Sequence, residues 1–308
     1  MDGGIDDALA LILAMRIDAL DVLGITSVSG NVPVGQATVN ALRVVELLNK
    51  ENVWVAIGRA RPLARNPIRA TRFHGKDGLG DSHLPLPKLR AYRENALDKL
   101  CEELDSSRKR ELSIIATGPL TNIASLIRKR PDAARKVKEL SSMGGAYGLT
   151  PYGIGNETPS AEFNVYSDPE AAKIVFGSRI PIKAAGLDVT MIPSAQLSMG
   201  DFSKIKRGRS RVAWFASKIL AKSMRERRFA LHDPMAVAAL AIPTLFKFEK
   251  LGVVVETRGE YTTGMTVADR RLGQDVGRER IAICEDVDGE RFRRVVVLAI
   301  TSGADSRS

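Results

Sequence analysis

Cysteine is scarce in this 308-residue chain. Cys101 and Cys284 are too few for a disulfide framework or a cysteine-based zinc site, and they read as core thiols. Long hydrophobic runs are also missing: the longest, Ala8 to Met15 and Met235 to Ile242, are eight residues each, far short of the ~20 needed to cross a bilayer. No membrane association is expected. The first residues, MDGGIDD, are acidic and glycine-rich where a signal peptide would carry a basic segment and then an apolar one, so the chain reads as cytoplasmic. Aromatic residues make up only 5% of the sequence and are not interleaved with basic ones, which argues against an RNA-stacking surface.

Basic residues, by contrast, are in excess. Lys and Arg number 46 against 36 Asp and Glu, a net charge of +10, which favours polyanionic partners. The excess gathers in Lys204 to Arg211 and Arg225 to Arg228, however, and such runs usually form a solvated face. Nucleic acid is therefore not the expected partner. With 44% hydrophobic residues the chain can bury a large core, as one big α/β domain.

Short β-rich runs at 21–28, 53–57, 112–117, 137–143 and 180–186 alternate with helical patterns after Asp6 and at 34–50, 94–106, 121–130 and 168–176. Each parallel connection needs a crossover, so the alternation predicts a mainly parallel central sheet flanked by helices. Beyond about residue 190 the pattern becomes helical through the basic segment, continues in an apolar helix from Asp233, and closes with a strand-rich tail and a last helix around Arg291 to Ile300. Residues 1–190 read as the α/β core and 191–308 as the remainder of the same domain. Sites in such sheets lie at the carboxyl ends of the strands, which directs attention to the loops there.

The first such segment is DGGIDDALALILA. One aspartate before a helix is an ordinary cap, because its carboxylate accepts backbone N–H bonds and complements the helix dipole. Three of them, Asp2, Asp6 and Asp7, repel one another unless a cation intervenes, and hard oxygen ligands favour calcium or magnesium. Other polar groups recur at strand ends: SGN ending at Asn31, ATGPLTN at 116–122, GNETPSAEFN at 155–164 and HDP at 232–234. A lone histidine is usually structural, but His232 gains weight from adjoining Asp233. Asn122 fits a helix cap.

These segments, with FHGKDGLG at 73–80 and GMTVAD at 264–269, resemble in order the site motifs of the inosine-uridine-preferring nucleoside hydrolases. DGGIDDALAL is similar to the second half of that family's signature, Asp-x-Asp-Pro-Gly-x-Asp-Asp. The resemblance implies a Rossmann-like fold and calcium-dependent hydrolysis of the N-glycosidic bond of purine or pyrimidine ribonucleosides. It implies one Ca2+ held by Asp2, Asp7, the carbonyl of Thr117 and Asp233, with Asp2 also the general base toward water. It further implies ribose binding by Asp6, Asn31, Asn156, Glu162 and Asn164, a place for His74 at the pocket edge, and His232 as the residue that protonates the leaving base, a role open to a histidine near pKa 6.5. A homodimer or homotetramer is expected.

Two departures qualify the match. The stretch 222–231 offers only Phe229 as an aromatic contact, leaving base preference open. The family's first aspartate and the strand before it have no counterpart ahead of Asp2, so the fold is expected without its first strand and Asp2 without that mount. A phosphohydrolase of the haloacid-dehalogenase type also uses an acidic turn after a strand, but it leaves GNETPSAEFN unexplained. A catalytically weakened nucleoside- or nucleic-acid-binding relative is the non-enzyme alternative.

Overall fold

The computed structural model describes residues 1–271, 276 and 280–303. Its first helix, α1 (Ile5–Arg16), is apolar on nearly every side, and such a helix is stable only when surrounded. It packs against the equally apolar α12 (His232–Ala241), and both are buried along almost their whole length. Around this pair run β1 (Gly24–Thr26), α2 (Val34–Leu47), β2 (Trp54–Ala56), α3 (Thr71–His74), α4 (Ala96–Ser106), β3 (Ile114–Ala116), α5 (Thr121–Lys129) and α6 (Pro131–Ala134). There follow β4 (Leu140–Met143), α7 (Phe163–Ser167), α8 (Pro169–Phe176), β5 (Ile182–Ala185), α9 (Leu187–Thr190) and β6 (Leu197–Ser198). The chain continues through α10 (Met199–Arg207), α11 (Arg211–Leu220), β7 (Arg228–Phe229) and then, after α12, β8 (Phe246–Val255), β9 (Thr266–Ala268), β10 (Arg280–Val287) and α13 (Gly289–Thr301).

All five strands expected in the first half form, each within its anticipated segment. The six-stranded sheet has the order β3-β4-β5-β10-β8-β9. It is parallel from β3 to β10 and antiparallel from β10 through β8 to β9, so the sheet is mixed. Hairpin-like pairing in the tail needs no crossover helix, which is why the alternation of helix and strand stops there. No described helix is long and apolar enough to cross a membrane.

Among the described residues the strands β1 and β2 pair only with each other. Between β1 and β3 lies a cleft of about 430 Å³, walled by Ile25, Thr26, Ile114 and Ile115, with Ala10 and Leu11 of α1 along it. Met1 sits at its mouth and bonds to the backbone beside β1: its amino group donates to the Thr26 carbonyl at 3.1 Å, and its carbonyl accepts from Val28 N–H at 2.9 Å. One large core cluster joins α1 to the helices α11, α12 and α13, while a second lies under β3, β4, β5 and β8.

Candidate active site

The helices α1 and α12 begin at the same place, beyond the carboxyl ends of β3 and β4, and each carries acid in its first turn. Gly3, in the left-handed region at φ 86°, turns the chain between Asp2 and α1; a Cβ there would lie 2.6 Å from Ala37 Cα. Asp7 closes the helix start by accepting from Gly4 N–H at 2.7 Å and Asp2 N–H at 3.2 Å. Thr117, just after β3, donates its hydroxyl to the same Asp7 carboxylate at 2.7 Å.

Asp2 is fully buried. Its two oxygens accept from the Asn31 backbone N–H at 2.7 Å and the Asn31 side-chain amide at 3.0 Å. Gly30 permits this approach, since a Cβ there would fall 1.9 Å from an Asp2 oxygen. The loop after β1 thus fixes the Asp2 carboxylate, which the sequence alone had left without a mount.

Carboxylate oxygens of Asp6, Asp7 and Asp233 lie within 4.8 Å of one another, all three residues buried. This group includes Asp6, while Asp2, which the resemblance implies as a ligand, lies beside it and accepts from Asn31. Asp6 Oδ1 and Asp233 Oδ2 are buried with no hydrogen-bond partner. Such orphaned oxygens are costly in a protein interior, and an all-oxygen set of this kind fits a hard divalent cation. Burial, reinforced by the Asp7 charge, pushes Asp6 up to about 8. Burial also raises Asp233, with Asp6, Asp7 and Asp2 adding to it, and raises Asp2, with Asp7 adding to it.

Opposite the acids stands Glu162, which caps α7. Its carboxylate accepts from three backbone N–H groups: Gly145 at 3.0 Å, Asn164 at 2.8 Å and Val165 at 3.1 Å. Burial raises its pKa, while those three donors pull it back. Asn164 is buried beside it, its amide reaching the Met143 carbonyl and sulfur at the end of β4. Asn156 lies apart on the surface, its Oδ1 accepting from Phe163 N–H at 2.9 Å.

Both candidate histidines are drawn in. His74 Nδ1 accepts from Ile5 N–H at 3.1 Å and lies 3.8 Å from Asp6 Oδ1. His232 Nδ1 lies 2.8 Å from the hydroxyl of Thr190. Burial lowers each to about 4, with the charge of His74 contributing to the shift of His232, so both rings are neutral at neutral pH. The expectation of a ring titrating near 6.5 is accordingly revised. Thr190 was not visible in the sequence, for an isolated threonine in a four-residue turn carries no signature. Asp269 pairs with Arg271 at 2.8 Å.

The site thus gathers an acidic cluster at two helix starts, a capped glutamate and two buried histidines. The model of the inosine-uridine preferring nucleoside hydrolases matches residues 1–294. The chain belongs to that family. This hydrolase is 40% identical over 276 residues to a pyrimidine-specific ribonucleoside hydrolase, RihA, of Escherichia coli, covering 87% of this chain and 86% of the relative. The RihA of a Shewanella strain is likewise 40% identical, over 87% and 85%. Among solved structures, a plant nucleoside hydrolase superposes with a TM-score of 0.90 at 30% identity, covering 98% of both chains. The purine-preferring ribonucleoside hydrolase of Gardnerella vaginalis gives 0.87 at 28% identity, covering 98% of this chain and 96% of the other. Membership displaces both the phosphohydrolase alternative and the non-enzyme alternative: the chain is a ribonucleoside hydrolase.

Proposed function

We propose that this hydrolase cleaves the N-glycosidic bond of pyrimidine ribonucleosides with the help of one calcium ion. The observation that carries the metal is the pair of orphaned buried oxygens on Asp6 and Asp233 beside Asp7. The pyrimidine preference rests on the relatives at 40% identity, whose names specify pyrimidines.

Asp7, Asp233 and the Thr117 carbonyl would hold the ion, with Asp2 and Asp6 at its edge. When bound, the cation offsets the crowded carboxylates and acidifies a water molecule. Asp2, its carboxylate oriented by Asn31, would serve as the base toward the attacking water. Asp6, Asn31, Asn164 and Glu162 line the ribose side, where amides and carboxylates read hydroxyls by complementary hydrogen bonds. Holding the sugar matters because the bond breaks through an oxocarbenium-like ribose. His74 edges the pocket, and His232 faces the departing base as a neutral N–H donor. Asn156 joins the ribose side only if its loop moves inward on binding.

Glu162, buried on the ribose side, also sets the charge of the acceptable substrate. A nucleotide phosphate would meet like charge in a poorly screened pocket, so nucleosides and not nucleotides are expected. Ribose release from uridine, cytidine, inosine and uridine monophosphate, each with chelator and with added calcium, tests the reading. Calcium-dependent cleavage fastest for uridine or cytidine supports it. Full turnover after rigorous chelation rejects the metal, a preference for inosine rejects the pyrimidine assignment, and equal use of the monophosphate rejects the charge argument.

A further inference from the structure

We propose that Thr190 is the positioning residue for His232, donating to Nδ1 and so keeping the ring proton on Nε2; the inference rests on the role read above for His232. Thr190 is fully buried, and its Oγ1 lies 2.8 Å from His232 Nδ1. Either atom could in principle donate. The hydroxyl has one proton, and among the described residues this nitrogen is the sole hydrogen-bond partner of the Thr190 side chain. If Nδ1 carried the ring proton, the Thr190 proton would be buried without an acceptor, which costs about 1–3 kcal/mol. Donation from Thr190 to Nδ1 satisfies both atoms. A neutral imidazole whose Nδ1 accepts carries its proton on Nε2, the nitrogen that remains for substrate.

The turn that carries Thr190 is itself held firmly. All four residues of α9 are buried, and Leu187 N–H donates to the Gly145 carbonyl at 2.9 Å. Asp188 accepts from Tyr147 N–H at 2.8 Å and from Leu149 N–H at 2.6 Å, and its carbonyl accepts from the Thr150 hydroxyl at 2.7 Å. The same loop supplies the Gly145 N–H that Glu162 accepts. One short turn after β5 therefore braces the ribose-side glutamate and orients the ring on α12.

The test combines a spectroscopic and a kinetic reading of the full chain. Nitrogen-15 spectra of histidine-labelled protein, with the His232 signals assigned by their loss in His232→Gln, should show Nε2 protonated and Nδ1 bare. Thr190→Val, which keeps the shape and removes the hydroxyl, should give a mixture of tautomers. It should lower kcat/KM for uridine about tenfold, in the range seen when a residue that orients a functional histidine is lost. For a nitrophenyl riboside, whose leaving group departs without a proton, the change should stay within about twofold. Thr190→Ser should restore both readings.

Protonated Nδ1 in the parent chain overturns the proposal, as does Thr190→Val leaving both tautomer and uridine rate unchanged. Equal loss on both substrates also overturns it, since that is the mark of a general structural defect. The role of His232 is judged separately: if His232→Gln slows the two substrates equally while the parent spectrum shows Nε2–H, the reading of His232 is at fault and the hydrogen bond from Thr190 stands without a catalytic consequence.

Discussion

Glu162 and the group of Asp6, Asp7 and Asp233 are all buried carboxylates, and the protein treats the two differently. Glu162 is surrounded by backbone donors, three N–H groups within 3.1 Å. Asp6 and Asp233 each keep one buried oxygen without any donor, within a cluster that also contains Asp7. A carboxylate filled by the backbone is a finished piece of structure, whereas one left short of donors stores repulsion until a ligand relieves it. The first group depends on the fold and the second on the ion.

The largest effect that could break this contrast is on activity. Asp233→Asn keeps the shape and removes one charge, and kcat/KM for uridine at saturating calcium should fall by about a thousandfold, the upper scale for losing a principal electrostatic contributor. In chelator the variant should melt no lower than the parent, because it loses an uncompensated charge. A lower melting temperature in chelator would mean that Asp233 is structural.

Glu162→Gln should give the opposite pattern. Replacing a carboxylate oxygen by an amide N–H sets a donor against backbone donors, so stability should fall by roughly 1–3 kcal/mol whether or not calcium is present. Denaturant unfolding with and without calcium reads this directly; a loss that calcium repairs would place Glu162 with the ion-dependent group.

A smaller effect appears in the pH dependence of the chelated protein. Burial and the Asp7 charge push Asp6 from its ordinary 3.8 up to about 8 in the folded chain, so its proton stabilises the fold fully below 3.8 and that contribution is lost as pH rises through 8. Asp2 and Asp233 shift in the same direction. His74 and His232, lowered from 6.5 to about 4, act oppositely: their contribution is complete above 6.5 and lost as pH falls toward 4. Between pH 6.5 and 8 only the carboxylates matter. Melting temperature in chelator should therefore decline across that window, and millimolar calcium should flatten the decline, since an ion that binds only the folded state replaces the protons. A flat profile in chelator would show that the acids are already compensated within the protein.

The same contrast explains what could be read from the sequence. Asp2, Asp6 and Asp7 occupy one turn, and His232 and Asp233 adjoin, so a surplus of like charge was visible before any folding. The parallel half of the sheet was legible because each of its strands is tied to a crossover helix. Pairings across long separations were not. The turn of Asp2 toward Asn31, which leaves Asp6 in the tight cluster, depends on how residues 29 apart meet. The bond from Thr190 to His232 spans 42 residues and involves a residue type found everywhere. The strands of the tail were legible too, but not their antiparallel pairing, because their connections carry no helix to set a rhythm.

The cleft between β1 and β3 has a bearing on cooperativity. Among the described residues β1 and β2 form a parallel pair of their own, bonded to each other from Gly24 to Thr26 and from Trp54 to Ala56. Yet the loop leaving β1 carries Asn31, which holds Asp2, while Asp7 is tied to Thr117 at the end of β3. The acidic cluster is thus tied both to the loop after β1 and to the end of β3. An ion bound there would act as a rivet between them, so calcium should slow amide exchange in Gly24–Thr26 toward that of Ile114–Ala116.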